Sequence, residues 1–300
     1  WLKSVREQRA SSPHQSPPVR LRGPRPLVAL MAVSVGAWVA QRPALLLIGD
    51  SLTQEGGTLA GGWAALLAAH YSRRADVVNR GLAGYTTRWG LEVLDRLWAP
   101  HGETALTTMW FGANDAADPT VNPRQHVPLD EYKKNLAQLV SRAQARSGAV
   151  VVLAPPPIHE AMYQTVFIEP RNGKGAPPDR SLEVSGKYAA AAGEVAAAAG
   201  CPFVDLWGRM QAAAPDDAAL GRFFYDGLHL SAEGNRFVFD ELLATIAERF
   251  PGLVVQPDPV TGKKDNSGTS CAGLPPHLPW HDTVTLENQA TVFVSSTGGQ

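Results

Sequence analysis

Ser51 ends a short apolar run in Gly49-Asp50-Ser51-Leu52, and Asp226-Gly227-Leu228-His229 sets a carboxylate three residues ahead of an imidazole. These types supply a nucleophile, a base and a group to orient the base, which is what acyl transfer through a serine requires. On a tight loop, for which Gly227 permits the turn, Asp226 can accept from Nδ1 of His229 while Nε2 faces Ser51. An oxyanion also needs donors. Candidates are the Ser51 amide, the side chain of Asn114 in Gly112-Ala113-Asn114-Asp115, and a backbone amide at Gly84, which ends Asn79-Arg80-Gly81-Leu82-Ala83-Gly84.

Each piece has a plainer reading by itself. A serine can cap a turn, an asparagine or glycine can simply sit in one, and Asp-x-x-His can be half a metal site. A zinc site needs further ligands nearby. Its one beginning here, His159-Glu160, has Tyr163 where the second histidine of HExxH belongs. No metal and no cofactor are therefore expected. There is no G-x-S-x-G elbow, no GxGxxG and no Walker motif, which argues against an α/β-hydrolase and a nucleotide-binding protein. What favours chemistry is that separate segments each supply one required part.

The elements that must bring these segments together alternate regularly. Strands are expected at residues 44–48, 76–79, 105–111, 150–154 and 202–206. Helices are expected at 63–71, 89–98, 129–145, 182–198 and 232–250, where apolar residues recur at helical spacing. Such alternation predicts an α/β fold, a three-layer α/β/α sandwich on a five-stranded parallel sheet with right-handed crossovers. Ligands in such sheets bind beyond the carboxyl ends of the strands. Ser51, residues 81–84, residues 112–115 and the loop that leads to Asp226 all fall at that rim. Two long loops, 115–128 and 155–181, are expected there as lids or binding walls. The second mixes aromatic, proline and charged residues, which suits a small wet pocket better than a long apolar tunnel.

Composition narrows the class further. The chain has 300 residues and 44% hydrophobic content, enough for a buried core. Residues 1–42 hold seven Lys/Arg against Glu7 alone, and the whole chain is at −1, so the remainder is acidic; nucleic acid is not an expected partner. Cys201 and Cys271 form no zinc or disulfide framework and are read as ordinary thiols. The apolar run at 27–40 is shorter than the roughly 20 residues a membrane crossing needs, so no transmembrane span is expected. Three domains of organisation follow: a disordered or targeting extension at 1–42, a catalytic domain at 43–252, and an irregular tail at 253–300, partly packed on the domain. For 1–42 three readings stand: a signal peptide with Val35-Gly36-Ala37 at its end, an organellar transit peptide, or upstream sequence preceding a start at Met31. The last, an untargeted cytoplasmic protein, is placed first.

Together these segments resemble the SGNH (GDSL) hydrolase family. Gly49-Asp50-Ser51-Leu52-Thr53-Gln54 resembles its first block, residues 79–86 its second, Gly112-Ala113-Asn114-Asp115 its third and Asp226-Gly227-Leu228-His229 its fifth. Within the family the chain is most similar to the isoamyl acetate-hydrolysing esterases. The similarity runs through residues 80–89, Phe111-Gly112-Ala113-Asn114-Asp115-Ala116 and Asp226-Gly227-Leu228-His229-Leu230-Ser231, from about residue 43 into the tail. It implies the flavodoxin-like SGNH fold and a serine esterase of small, acetate-type esters. In that reading Ser51 is the nucleophile, His229 the general base and then acid, and Asp226 its orienter. The Ser51 amide, Gly84 amide and Asn114 side chain form the oxyanion hole, with Asp50 and Asn79 in support. Arg88 and Trp89 are features of the subfamily that a salt bridge or helix packing explains equally well. Alternatives on the same fold are a carbohydrate O-acetylesterase, a lipase or thioesterase, or a catalytically silent binding module. The rate is expected to fall below pH ~6.5, the ordinary histidine value.

Overall fold

The computed structural model describes residues 42–98, 102–255 and 274. The readings for residues 1–41, for Cys271 and for most of the tail lie outside these residues. Five strands, β1 (Ala44–Gly49), β2 (Asp76–Gly81), β3 (Leu106–Trp110), β4 (Val150–Leu153) and β5 (Phe203–Val204), form one parallel sheet in the order β2-β1-β3-β4-β5. That is the doubly wound order whose ligand crevice opens where β1 and β3 diverge. The α/β/α sandwich expected from the sequence is therefore the fold.

The helices are α1 (Ser51–Thr58), α2 (Trp63–His70), α3 (Thr87–Trp98), α4 (Leu129–Gln144), α5 (Glu160–Met162), α6 (Glu169–Asn172), α7 (Leu182–Ala198), α8 (Leu206–Ala212), α9 (Asp217–Gly221) and α10 (Ala232–Arg249). A π-helix, Tyr163–Ile168, joins α5 to α6. Strand residues alternate between two cores, because successive side chains point to opposite faces. Leu45 and Leu47 meet Trp63 and Leu67 of α2 and Val238, Leu242 and Ile246 of α10. Leu46 and Ile48 meet Leu94 of α3, Leu136 and Leu139 of α4 and Ala192 of α7. The first core runs past residue 252 and takes in Leu253, Val255 and Leu274, whose amide donates to the Val254 carbonyl at 2.7 Å.

Three local differences from the sequence reading have clear causes. No helix is expected between residues 48 and 63, yet Ser51 is the first residue of α1, which Asp50 caps by accepting from the Leu52 amide at 3.0 Å. Two glycines in that helix, Gly56 and Gly57, hide it from a propensity argument. β5 is only two residues long because Asp205 turns the chain into α8, accepting from the Gly208 amide at 3.0 Å. Loop 155–181 is not structureless but holds α5, the π-helix and α6. Among the described residues no helix is long and apolar enough to cross a membrane.

Candidate active site

The last strand residue of β1, Gly49, is followed by Asp50 and Ser51, so the serine stands beyond the carboxyl end of the sheet at the opening between β1 and β3. The N-terminus of α1 begins at Ser51, and a helix N-terminus favours negative charge nearby. Ser51 Oγ lies 3.0 Å from Nε2 of His229, and Nδ1 of His229 lies 2.8 Å from Oδ2 of Asp226. The other Asp226 oxygen accepts from the Leu228 and His229 amides at 3.0 and 2.7 Å, which fixes the carboxylate in its turn.

That turn is built from its ends. An antiparallel bridge between Phe224 and Leu230 closes it, with the Tyr225 amide donating to the His229 carbonyl at 3.0 Å. Ser231 then caps α10 through the Gly234 amide. Gly227 stands at φ +88°, and a Cβ there would lie 2.3 Å from the Tyr163 nitrogen and 2.6 Å from the His159 oxygen. Only glycine fits both the dihedral and the space.

Electrostatics match the geometry. Burial pulls the His229 imidazole down, but the hydrogen bond and charge of Asp226, with Glu55 and Asp50 behind, outweigh it and raise its pKa above 6.5. Burial pushes Asp226 up, yet its bond to His229 and the two amides bring it below the usual carboxylate range. Asp50, fully buried, is pushed up to about 7 by desolvation, and Asp115 beside it to about 6.

The expected donors come from the neighbouring strand ends. Among the described residues no acceptor takes the backbone N–H of Ser51 or of Gly84, so both are open. Asn114 Nδ2 donates to the Tyr85 carbonyl at 3.0 Å and to Asp50 Oδ2 at 3.3 Å. The second is the longer and weaker bond, and it is the one for which a substrate oxygen would compete with Asp50. Asp50 thus caps α1 and touches Asn114. Asn79 does not reach Ser51 or His229; it donates to the Thr53 carbonyl at 2.6 Å and accepts from the Gly81 amide at 2.9 Å, holding α1 against β2. Arg88 pairs bidentately with Glu131 and joins α3 to α4, while Trp89 packs edge-on against Tyr85.

Several residues at the site carry no local sequence signal. Gln54 accepts from the Ala83 amide at 2.9 Å and so holds the loop that carries Gly84. Tyr225 stacks on His229 at 5.8 Å between ring centres and donates to Glu55 at 3.0 Å, and Glu55 lies 4.0 Å from Nε2. Phe167, on the π-helix, faces the same imidazole at 5.8 Å. Gln125 and Arg180, one from each long loop, converge on Asn114. The only hint of the last is an Asp179-Arg180 pair in a Gly/Pro-rich stretch. Among the described residues no group of three or more His, Cys, Asp or Glu side chains is placed to hold a metal ion.

Comparison with known proteins agrees with this architecture. Residues 47–237 match the model of the GDSL-like Lipase/Acylhydrolase family. An isoamyl acetate-hydrolyzing esterase 1 homolog of Bos taurus is 38% identical over 217 residues, covering 70% of this chain and 84% of that protein. A GDSL esterase/lipase of Arabidopsis thaliana is 40% identical over 215 residues, covering 69% and 86%. Among solved structures, a lipase/acylhydrolase from Enterococcus faecalis superposes with a TM-score of 0.55 at 23% identity, over 69% of this chain and 96% of that one, a likeness of fold.

Proposed function

The chain belongs to the GDSL-like lipase/acylhydrolase family and is a carboxylic ester hydrolase, and from that premise we propose that it cleaves small, acetate-type esters through an acyl-enzyme on Ser51. The observation that carries this reading is the continuous relay of Asp226 Oδ2, His229 and Ser51 Oγ, at 2.8 and 3.0 Å, beside two open backbone amides.

In the proposed cycle neutral His229 takes the Ser51 proton at Nε2 as Oγ attacks the ester carbonyl. The imidazolium is stabilised by Asp226. The tetrahedral oxyanion is received by the Ser51 and Gly84 amides and the Asn114 side chain. His229 returns its proton to the leaving alcohol as the C–O bond breaks. Water then enters, gives a proton to His229 and attacks the acyl carbon, and collapse of the second tetrahedral species returns that proton to Ser51 and frees the acid. Losing one oxyanion donor typically costs about 2.7–4 kcal/mol of barrier.

A small substrate is supported by the walls around His229. Phe167 and Tyr225 flank the imidazole, and Glu55 stands at its reacting edge. Bulky rings and a carboxylate this close to the imidazole favour an ester with small groups on either side of its carbonyl.

Ser51→Ala should abolish hydrolysis of p-nitrophenyl acetate and labelling by a fluorophosphonate probe, with the thermal melt retained. Undiminished turnover in the variant would remove Ser51 as nucleophile, and a wild type that neither labels nor turns over would favour a silent binding module. A panel of acyl chain lengths separates an acetate esterase, with rates greatest at two carbons, from a lipase or thioesterase.

A further inference from the structure

We propose that Arg180, together with Gln125, is a positioning residue that fixes which end of the Asn114 amide is which, with Oδ1 on the brace and Nδ2 on the side of Asp50, the neighbour of Ser51, and ties the Asn114 and Gly84 loops into one unit. This rests on reading Asn114 and Gly84 as oxyanion donors. Arg180 follows α6 in a loop with no regular pattern, yet its side chain is 4% exposed. Its five N–H groups make five hydrogen bonds: Nε to the Ala113 carbonyl at 2.7 Å, Nη1 to the Asp179 carbonyl and carboxylate, and Nη2 to Gln125 Oε1 at 2.9 Å and Asn114 Oδ1 at 3.4 Å.

An asparagine amide is nearly symmetric in shape, so packing cannot tell its oxygen from its nitrogen; hydrogen-bond partners must do so. Here Oδ1 meets two donors, Gln125 Nε2 at 3.1 Å and Arg180 Nη2, while Nδ2 meets the Tyr85 carbonyl and Asp50. A flipped amide would press its NH2 against a guanidinium and its oxygen against a carbonyl and a carboxyl. The guanidinium charge beside Oδ1 also polarises the amide and makes its N–H groups stronger donors. Gln125 Nε2 gives a further bond to the Gly84 carbonyl at 2.9 Å, so the same pair sets the height of the Gly84 amide relative to Asn114.

The pair is itself held. Asp179 neutralises Arg180 and accepts from Tyr163 Oη at 2.6 Å and Asn122 Nδ2 at 2.7 Å; Asn122 also donates to Gln125 Oε1 at 2.8 Å. None of these groups hydrogen-bonds to Ser51 or His229; besides the oxyanion donors, a packed route to the imidazole runs from Asp179 through Tyr163 and Phe167, and a loss that does not depend on Asn114 would report it.

The test is a double-mutant cycle read in kcat and KM on p-nitrophenyl acetate, with wild type, Arg180→Met, Asn114→Ala and the double variant. Arg180→Met should lower kcat on the order of tenfold to a hundredfold with KM little changed, a part of the 10²–10³ lost with a whole donor. In the Asn114→Ala background the same change should cost less than about threefold, because the residue it acts through is gone. Equal losses in both backgrounds would overturn the proposal. An Asn114→Ala variant with undiminished kcat would overturn the oxyanion reading beneath it. Arg180→Met leaves the buried Asp179 unpaired and can fail to fold. Gln125→Met, which removes the uncharged half of the brace, then gives the same cycle, and additive losses there refute the proposal equally.

Discussion

His229 sits between two carboxylates of unequal standing: Asp226 bonded to Nδ1 at 2.8 Å, and Glu55 at 4.0 Å from Nε2. Both favour the imidazolium, burial opposes it, and the net pKa is raised above 6.5. Only neutral His229 accepts the Ser51 proton, so kcat/KM should fall as pH drops through that raised value, by about tenfold per unit below it. The acid limb is thus expected above the ordinary value of ~6.5 that the sequence suggests, and Glu55→Gln should move it down. Initial rates of a neutral ester between pH 5 and 9 check this; a wild-type limb at or below 6.5 would contradict it. The meeting of Ser51, Asp226 and His229 was legible in sequence because Asp226 and His229 are three residues apart and strand–helix alternation sets both their loop and Ser51, just past β1, at the same rim, although 178 residues separate Ser51 from His229. Arg180 was not. Its partners Ala113, Asn114 and Gln125 lie more than fifty residues away along the chain and meet it only once both loops have folded.

Element boundaries were legible where apolar spacing is strong and illegible where side chains set them. α7 and α10 were expected at 182–198 and 232–250 and stand at Leu182–Ala198 and Ala232–Arg249. The short helices α5, α6, α8 and α9 were missed, as were α1, with its Gly56-Gly57 pair, and the π-helix, which the loop composition around it conceals. The turn from Asp226 to His229 depends on that π-helix, since Gly227 packs on the Tyr163 nitrogen that begins it. Gly227→Ala pits a left-handed backbone costing roughly 1–2 kcal/mol against a steric overlap. Either way out displaces the imidazole. A lowered melt and a loss in kcat/KM on the order of 10²-fold, the usual result of a 1 Å misplacement, are expected. Full activity in this variant would show that the turn does not set the relay.

At the scale of the whole molecule, a sheet covered on both faces makes the rim the one place where polar groups from several strands can meet. The parallel sheet and the three layers followed from strand–helix alternation, whereas the order β2-β1-β3-β4-β5 is seen only in the folded chain. What alternation does not reveal is how far the first core reaches. Leu274, buried beside Leu253 and Val255, belongs to it although no periodicity marks its surroundings. Leu274→Ala should destabilise by about 2–5 kcal/mol, the range for a buried leucine. A calorimetric melt reads this, and an unmoved midpoint would place the residue outside the cooperative core. The convergence of Gln125 and Arg180 also constrains redesign. Rim loops of parallel sheets are the usual parts to exchange when a hydrolase is re-tooled for a new ester, because the scaffold beneath is indifferent to them. Here loop 155–181 gives Ile158, Tyr163 and Ile168 to the first core and is tied to loop 115–128 through Arg180 and Gln125. If Arg180 has the role proposed for it, a transplanted 155–181 segment that keeps these core residues but lacks the Asp-Arg pair should turn over slowly.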